Sequence, residues 1–451
     1  MLNRKIDNEI DVHFSNSKKA LFLTGARQVG KTYSIRKYAK RHGLNLIEFN
    51  FLLQPETMDI INGAGDVKEL LLRISAYSRV ALVGSKKLIF FEEVQECPDV
   101  MTWVKALVDE GSYIYALSGS LLGVELKDIR SVPVGYMSEM QVYPMDFEEF
   151  VSAVGVPENV LDAVKKSWSE KTLVDAYIHE KMMQLFQLYI IVGGMPAAVQ
   201  TYIDSNNIQN VVKEQRDIIN LYKKDIARYD QDVRKKLYIN EVFDLIPSEL
   251  NAKNKRFILK RLNENMTFGR HENDFIWLKD ADMALPTYNV EEPVSPLKLS
   301  EQRNLFKLFQ NDVGLLSCQY SSGCIQLKIL QGKVNVNYGS VFENAVAQEL
   351  HAHGWDLYYF NSKKQGEIDF ILETDDEIIP LEVKSGKDYE RHNALSKLLS
   401  IPNYGIRRAI VLCNDNLHVK GNVEYLPVYM TMFLVKQDEL EDPIYKVNLE
   451  F

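Results

Sequence analysis

The stretch that decides the fold is residues 20–32, Ala-Leu-Phe-Leu-Thr-Gly-Ala-Arg-Gln-Val-Gly-Lys-Thr. Its apolar start is typical of a strand, and residues 33–40 continue it with a helical pattern. Gly25 and Gly30 permit backbone angles that a side chain would forbid, so the N–H groups between them can form one concave nest for phosphate oxygens. The helix that starts at Lys31 adds the positive end of its dipole. A glycine-containing turn can carry the same letters, but the flanking strand and helix favour a P-loop.

The P-loop pattern assigns a role to particular side chains. The Lys31 ammonium is expected to reach the β- and γ-phosphates of ATP, and the Thr32 hydroxyl is expected to bind Mg²⁺. Lys31 is therefore a predicted catalytic residue as well as a binding residue. The predicted nucleotide-binding residues are Gly25, Ala26, Arg27, Gln28, Val29, Gly30, Lys31, Thr32, Tyr33 and Ser118.

A second strand pattern, residues 87–94, ends in two carboxylates. An apolar strand followed by acids is typical of the Walker B motif, in which one acid holds the Mg²⁺ shell and the next polarises the attacking water. Glu92 falls at the metal position and Glu93 at the base position. An ordinary strand with an acidic turn is the alternative, and the P-loop upstream favours Walker B. Ser118 ends another predicted strand, where it either touches the γ-phosphate or the attacking water, or belongs to a plain turn.

Composition sets the class of protein. With 451 residues, 46% hydrophobic and 25% charged, the chain is typical of a globular protein of about three domains. The net charge of −9 excludes a nucleic-acid polycation but leaves room for a local basic patch. The N-terminus lacks a secretory pattern, and the longest apolar stretch, 185–199, is shorter than the ~20 residues of a membrane span. We therefore expect a cytoplasmic protein without membrane contact.

The cysteines are scattered along the chain without the spacing of a zinc site, which is typical of reduced thiols. They are Cys97, Cys318, Cys324 and Cys413.

The order of predicted strands and helices indicates an α/β multidomain chain. We expect a nucleotide domain with a parallel sheet at 1–150, a helical lid at 151–232, a winged-helix module at 233–330 and a further α/β domain at 331–451. Within the winged-helix module, residues 275–278 are predicted as a short strand. Its basic residues form either a phosphate-binding face or a solvated helix face. They are Arg234, Lys235, Lys236, Lys253, Lys255, Arg256, Lys260 and Arg261.

The last part of the chain carries a second acidic pattern. Glu343 lies near the start of a predicted helix, Asp369 lies on one strand, and Glu382-x-Lys384 lies on the next. Residues two apart on a strand share a face, so Glu382 and Lys384 point the same way. Glu343, Asp369 and Glu382 can then bind Mg²⁺ or Mn²⁺, with Lys384 orienting or activating water. The pattern favours a nuclease-type site with Asp369, Glu382 and Lys384 as catalytic residues; amphipathic strands with ordinary surface charges are the alternative.

Seven stretches of the sequence together resemble one family, the prokaryotic AAA-type ATP-binding proteins that carry a C-terminal domain of unknown function. The resemblance implies an AAA-like P-loop domain, a helical lid, a winged helix and a C-terminal domain similar to PD-(D/E)xK nucleases. It also raises homo-oligomerisation as an expectation. The stretches are 23–32, 90–95, 117–120, 143–150, 193–196, 306–316 and 381–386.

Two positions depart from the family's pattern. Glu92-Glu93 stands where the family has Asp-Glu, and Gly135-Tyr136 stands where it tends to have Gly-Arg. An arginine near bound phosphates stabilises the charge that develops during transfer. Both departures are therefore expected to slow hydrolysis more than binding.

Three interpretations fit these residues, and the third of them treats the C-terminal domain as a purely structural fold. The first is a Mg²⁺-dependent ATPase whose turnover controls a nuclease-like C-terminal domain. This domain would act on nucleic acid, with DNA as the favoured substrate, which the winged-helix and C-terminal domains would contact. The second is an ATP-dependent switch or scaffold that binds nucleic acid or a protein partner without cleavage.

Overall fold

A computed structural model describes residues 2–78, 87–119, 135–229, 232–252, 255–258, 275–320 and 339–436. The described residues form two β-sheets with helices packed against them. One hydrophobic cluster extends from Ile6 to Met432 and contains residues of both sheets. The two halves of the chain therefore share a core.

The first sheet is wholly parallel, with strand order β2-β3-β4-β1-β5. All six residues of its third strand are buried, as expected for a parallel strand that is covered on both faces. The strands are β1 (Ala20–Thr24), β2 (Asn45–Asn50), β3 (Lys87–Glu92), β4 (Ile114–Ser118) and β5 (Met137–Gln141). The helices of this part are α1 (Lys5–Asn16), α2 (Lys31–Arg41), α3 (Met58–Asn62), α4 (Val67–Ser78) and α5 (Asp99–Glu110), with short 3₁₀ turns at Pro55–Thr57 and Val94–Glu96.

This strand order places β4 between β1 and β3. Ser118, the last residue of β4, is the register partner of both Leu23 and Glu92. The P-loop strand and the acidic strand therefore end side by side at one edge of the sheet. Ligands of open α/β sheets bind at this carboxyl edge.

A run of helices follows the first sheet. Gly193 and Gly194 separate two of them, and Pro196 stands at the first position of the next helix, where its missing N–H is not needed. The helices are α6 (Phe147–Ala153), α7 (Glu158–Glu170), α8 (Ala176–Val192), α9 (Pro196–Ser205), α10 (Ile208–Tyr229) and α11 (Val233–Leu250).

The second sheet is mixed and has eight strands in the order β12-β13-β11-β10-β9-β8-β6-β7. Its strands are β6 (Ala284–Val290), β7 (Glu301–Gln310), β8 (Tyr358–Ser362), β9 (Gly366–Glu373), β10 (Ile378–Val383), β11 (Ala409–Cys413), β12 (His418–Lys420) and β13 (Val423–Pro427). Its helices are α12 (Val313–Tyr320), α13 (Gly339–Ala352) and α14 (Asn393–Leu399), with 3₁₀ turns at Leu297–Ser300, Pro402–Tyr404 and Val428–Phe433.

This sheet corrects the predicted winged-helix module at 233–330. The strands of that region, β6 and β7, do not form a module of their own, because β6 pairs in parallel with β8 of the C-terminal part. The predicted boundary between 330 and 331 thus divides one continuous sheet. Residues 275–278, predicted as a strand, are helical.

Cys97, Cys318 and Cys413 are free and buried, whereas Cys324 lies outside the described residues. Of the helices in the described ranges, none is by itself long and apolar enough to cross a membrane. The pair α8 and α9, bent by 119°, passes that test on length and composition only.

Candidate nucleotide site and C-terminal carboxylate cluster

The P-loop backbone takes the shape that its glycines permit. Gly25 has φ 121° and Gly30 has φ 102°, both in the region that side chains disfavour. A Cβ at Gly25 would lie 2.2 Å from the carbonyl oxygen of Val142, so no larger residue fits there. Gln28 also has a positive φ, 68°. The loop is therefore held by backbone geometry and by the segment that follows β5.

Lys31 lies across this loop. Its ammonium donates to the carbonyl oxygens of Gly25, at 2.7 Å, and Ala26, at 2.8 Å. Burial lowers the pKa of Lys31 to about 8, although Glu93 and Asp282 act in the opposite direction. The ammonium is thus fixed at the loop before a phosphate arrives.

A cavity of about 600 Å³ opens beside the loop. Arg27, Gln28, Gly30, Lys31, Thr32 and Tyr33 line one side of it, and Glu92 and Glu93 line another. Pro196 and Gln200 of α9 and Leu221 of α10 also contribute, as does Leu2 of the N-terminal segment. This volume is within the range of small-molecule sites, about 300–1,000 Å³. Six of the ten predicted binding residues therefore face one ligand-sized space, whereas Gly25, Ala26, Val29 and Ser118 do not line it.

The two acids at the end of β3, Glu92 and Glu93, differ in their surroundings. Glu92 is buried and accepts a hydrogen bond from Asn50 Nδ2 at 2.6 Å, and burial raises its pKa. Its other oxygen, Oε1, has no hydrogen-bond partner among the described residues, and Arg36 Nη2 lies 3.8 Å from it. Glu93 has a positive φ of 54° and accepts from Gln95 Nε2 at 2.6 Å.

These residues fit a nucleotide with Mg²⁺. The unpartnered Glu92 oxygen is a buried acceptor at the cavity wall, and hard cations prefer such oxygens. The Thr32 hydroxyl stands in the first turn of α2 at the same cavity. Thr32 and Glu92 would therefore hold the ion, directly or through water.

Ser118 is buried at the end of β4 and does not line the cavity, although it is the register partner of Glu92. Its predicted contact with phosphate or water stays a prediction.

Tyr136 corrects one expectation. The Tyr136 carbonyl accepts from the N–H of Ala20, the first residue of β1, at 2.9 Å. The P-loop begins after Thr24 at the other end of this strand, roughly 16 Å away at about 3.3 Å per residue. A side chain at 136 therefore lies at the edge of the sheet opposite this chain's own P-loop, so an arginine there would not reach phosphates bound at that loop.

Sequence reasoning missed several residues that hold the loop. Arg4 is buried and donates to the carbonyl oxygen of Val29 at 2.9 Å and to that of Tyr143 at 2.7 Å. Asp282 accepts from the Ala26 N–H at 3.3 Å. No local pattern marks these contacts, because Asp282 is 256 residues from Ala26 in the chain.

The acidic residues of the C-terminal part come together in the second sheet. Glu343 lies in the second turn of α13, Asp369 lies on β9, and Glu382 lies on β10. Asp369 Oδ2 accepts from the N–H of Val383 at 2.9 Å. Lys384 forms an ion pair with Glu382 at 2.6 Å. The predicted shared face of Glu382 and Lys384 is thus present in the structure.

Two further lysines occupy the space between these acids. Lys255 forms an ion pair with Glu343. The ammonium of Lys307, on β7, lies 3.8 Å from Asp369 Oδ1 and 4.0 Å from Glu343 Oε2. Burial raises the pKa of Glu343 to about 7, with a further contribution from Asp369, while Lys255 and Lys307 act in the opposite direction.

This arrangement does not fit the predicted Mg²⁺ or Mn²⁺ ion. Over the ranges that the structure describes, no three His, Cys, Asp or Glu side chains are grouped so that they would hold a metal. The positive charge that a metal would supply to Glu343 and Asp369 comes from Lys255 and Lys307. No catalytic step through a metal is therefore derived for this cluster.

The predicted basic face is also only partly available. Lys255 is engaged with Glu343, and Arg256 lies close enough to Tyr359 for its charge to lower the pKa of that hydroxyl against the effect of burial. Lys253, Lys260 and Arg261 lie outside the described residues. Of the described basic residues, Lys255 is therefore not free to contact a phosphate.

Comparison with known families divides the chain into three parts. Residues 17–151 match the model of an AAA domain. Residues 183–323 match a domain of unknown function (DUF8612), and residues 338–430 match another (DUF4143). The predicted AAA-type P-loop domain of the first part is thereby confirmed, and the nuclease-like assignment of the last part stays a prediction.

The solved structures with some likeness to the chain include three with TM-scores below 0.5. A Walker-type ATPase of Pyrococcus abyssi has 13% identity and a TM-score of 0.43, over 71% of this chain and 96% of that one. The ORC1 protein of Aeropyrum pernix, in complex with DNA, has 12% identity and a TM-score of 0.29, over 72% and 94%. Cdc6p of Pyrobaculum aerophilum has 11% identity and a TM-score of 0.26, over 73% and 94%. No curated protein matches the chain.

Proposed function

We propose that this chain binds ATP with Mg²⁺ at the P-loop and hydrolyses it, and that the nucleotide state controls what the C-terminal half binds. The observation that carries the proposal is the fixed Lys31 ammonium, bonded to the Gly25 and Ala26 carbonyls at a cavity that Glu92 and Glu93 also line. The AAA-domain match over 17–151 supports it.

The residues that line the cavity have different roles, which follow from their positions. Lys31 and the loop N–H groups bind the β- and γ-phosphates, while Thr32 and Glu92 hold Mg²⁺. A Mg²⁺ ion held by these residues would neutralise charge on the transferring phosphate. Glu93, which lines the cavity directly after β3, orients the attacking water. Glu92 is one methylene longer than the family's aspartate, so we expect slow turnover.

Substitution of Lys31 tests this function directly. Lys31→Ala should abolish phosphate release from ATP and weaken nucleotide binding, because the loop loses its only lysine. Lys40→Ala, on the exposed side of the same helix, is the matched control and should keep wild-type turnover. Malachite-green detection of phosphate measures the release. Equal release from wild type and Lys31→Ala would remove the ATPase assignment.

The C-terminal half is proposed as a binding element for nucleic acid or a protein partner, without cleavage. Its acids are paired with Lys255, Lys307 and Lys384, which supports this version over a metal-dependent nuclease. A nuclease remains the second candidate, because Glu343, Asp369 and Glu382 do lie near one another, close enough for their charges to act on Lys384.

A cleavage assay separates the two versions. Plasmid and single-stranded DNA, with Mg²⁺ or Mn²⁺ and with or without ATP, should stay intact in the presence of the wild-type chain. If the wild-type chain cuts DNA and the Lys384→Ala variant does not, the nuclease version is established.

Homo-oligomerisation stays a prediction, and light scattering of the ATP-bound chain checks it.

A further inference from the structure

Lys307 has no exposed surface and lies in the middle of β7, between buried apolar neighbours. Its ammonium is 2.7 Å from Glu367 Oε1, 3.8 Å from Asp369 Oδ1 and 4.0 Å from Glu343 Oε2. In strand order β7 is three positions from β9, which carries two of these acids. The sheet must therefore curve so that its edge lysine reaches them.

A buried charge is stable only when other charges or dipoles compensate it. Burial alone would lower the pKa of Lys307, but Glu367, Glu343 and Asp369 raise it to about 12. The side chain is therefore an ammonium at any physiological pH, and it supplies positive charge to all three carboxylates.

The remaining oxygen atoms of these acids are also engaged. Asp369 Oδ2 accepts from the Val383 N–H at 2.9 Å, and Glu343 Oε1 pairs with Lys255. The ring of Tyr359 closes another side, with its centroid 4.9 Å from the Lys307 ammonium. A divalent ion with oxygen ligands at about 2.0–2.6 Å would need the volume that the ammonium fills.

We propose that Lys307 is a built-in cation that takes the place of a divalent metal in this carboxylate cluster, with Lys255 as its second cation. The cluster then holds β7, β9 and α13 together without a metal, and it does not bind one. This inference is independent of ATP turnover, since none of its residues lines the P-loop cavity.

Binding of Mn²⁺ to the nucleotide-free full chain tests the proposal, with free Mn²⁺ followed by electron paramagnetic resonance. Wild type and Asp369→Asn should bind equal amounts of Mn²⁺. Lys307→Met removes the ammonium from the centre of the cluster, so this variant should bind one Mn²⁺ per chain more than wild type. The double variant Lys307→Met/Asp369→Asn should lose this gain.

A buried lysine elsewhere provides the matched control. Lys87 on β3 is buried, and its ammonium has no hydrogen-bond partner in the described part of the chain. Lys87→Met should therefore leave Mn²⁺ binding unchanged. A Mn²⁺ ion that wild type binds and Asp369→Asn loses would overturn the proposal, and this comparison needs no Lys307 variant to fold. A folded Lys307→Met chain without any gain would overturn it as well.

Discussion

At the scale of single residues, Lys31 is the side chain whose state most affects ligand binding. Its ammonium is already bonded to two loop carbonyls, so ordering it costs little when ATP binds. The same burial that fixes it also lowers its pKa to about 8. Its charge, and with it the affinity for phosphate, therefore changes near physiological pH.

The affinity for ATP should fall as the pH rises through 8. Below the pKa of about 8 Lys31 is charged in the free chain, and bound phosphates keep it charged above that value. Binding above pH 8 therefore takes up a proton, and the dissociation constant should rise by up to roughly tenfold per pH unit. Calorimetry in two buffers of different ionisation enthalpy measures both effects.

Lys31→Arg is the control for this titration, because a guanidinium stays charged at every pH used. Its affinity for ATP should not change across the same range. If wild type shows the same flat profile and no proton uptake, Lys31 is not the titrating group.

Sequence patterns identified the residues whose contacts are close in the chain and missed those whose contacts are distant. The P-loop residues 25–32 lie next to one another in the chain, and their spacing was enough to assign them to a nucleotide site. Arg4 contacts Val29 and Glu149, which are 25 and 145 residues away, so its position gives no signal. Lys307 carried a weak signal, a lysine in an apolar strand, but its partners could not be inferred from that pattern.

At the scale of elements, the break between α8 and α9 contains Gly194, which among the described glycines has the least room for a side chain. The Gly194 N–H donates to Asp312 Oδ2 at 2.6 Å, and a Cβ at Gly194 would lie 1.9 Å from the carbonyl oxygen of Met145. Asp312 is fully buried. Gly194 thus contacts both the segment that follows the first sheet and the residue that precedes α12.

Gly194→Ala should destabilise the chain strongly. The added methyl group meets backbone atoms rather than a flexible side chain, so we expect a loss of about 3 kcal/mol or more in the free energy of unfolding. Urea unfolding followed by circular dichroism measures it. Gly386→Ala is the control, since a Cβ there meets no atom within 4 Å. Equal stability of the two variants would contradict the predicted clash.

The sequence predicted the break itself, because Gly-Gly-Met-Pro does not continue a helix. It did not predict why the glycines are needed, since Asp312 is 118 residues from Gly194. The strand predicted at 275–278 was wrong, because a short apolar run suits a helix as well as a strand.

At the scale of the whole molecule, α13 connects the two halves. Near its start Glu343 belongs to the carboxylate cluster, and near its end His351 lies 3.5 Å from Asp282, which accepts from the P-loop N–H of Ala26. Glu349 between them accepts from the Phe147 N–H at 2.8 Å. A single helix thus touches residues that support both sites.

The fragment 331–451 should not fold alone. It lacks β6 and β7, so β8 would expose an unpaired edge, and Lys307 would no longer compensate Glu343 and Asp369. We expect the purified fragment to lack a cooperative thermal transition in near-ultraviolet circular dichroism, whereas the full chain shows one. Co-expression with 1–330 should restore solubility. A cooperative transition of the isolated fragment would contradict this.

Sequence patterns did not indicate the shared sheet, although they indicated an α/β chain and the order of its parts. Hydrophobic patterns show that a segment is a strand but do not select its partner. The pairing of β6 with β8 joins segments about 70 residues apart, for example Asn289 with Tyr359.

The shared sheet also bears on how such chains are inherited. The family match at 338–430 begins after β7, so the segment that it delimits is shorter than the sheet to which it belongs. A recombination event that joined a foreign gene at residue 331 would separate β8 from β6 and Lys307 from its acids. Exchange of the C-terminal half between genes should therefore succeed only with junctions upstream of β6. Residues 284–436 should then be inherited together.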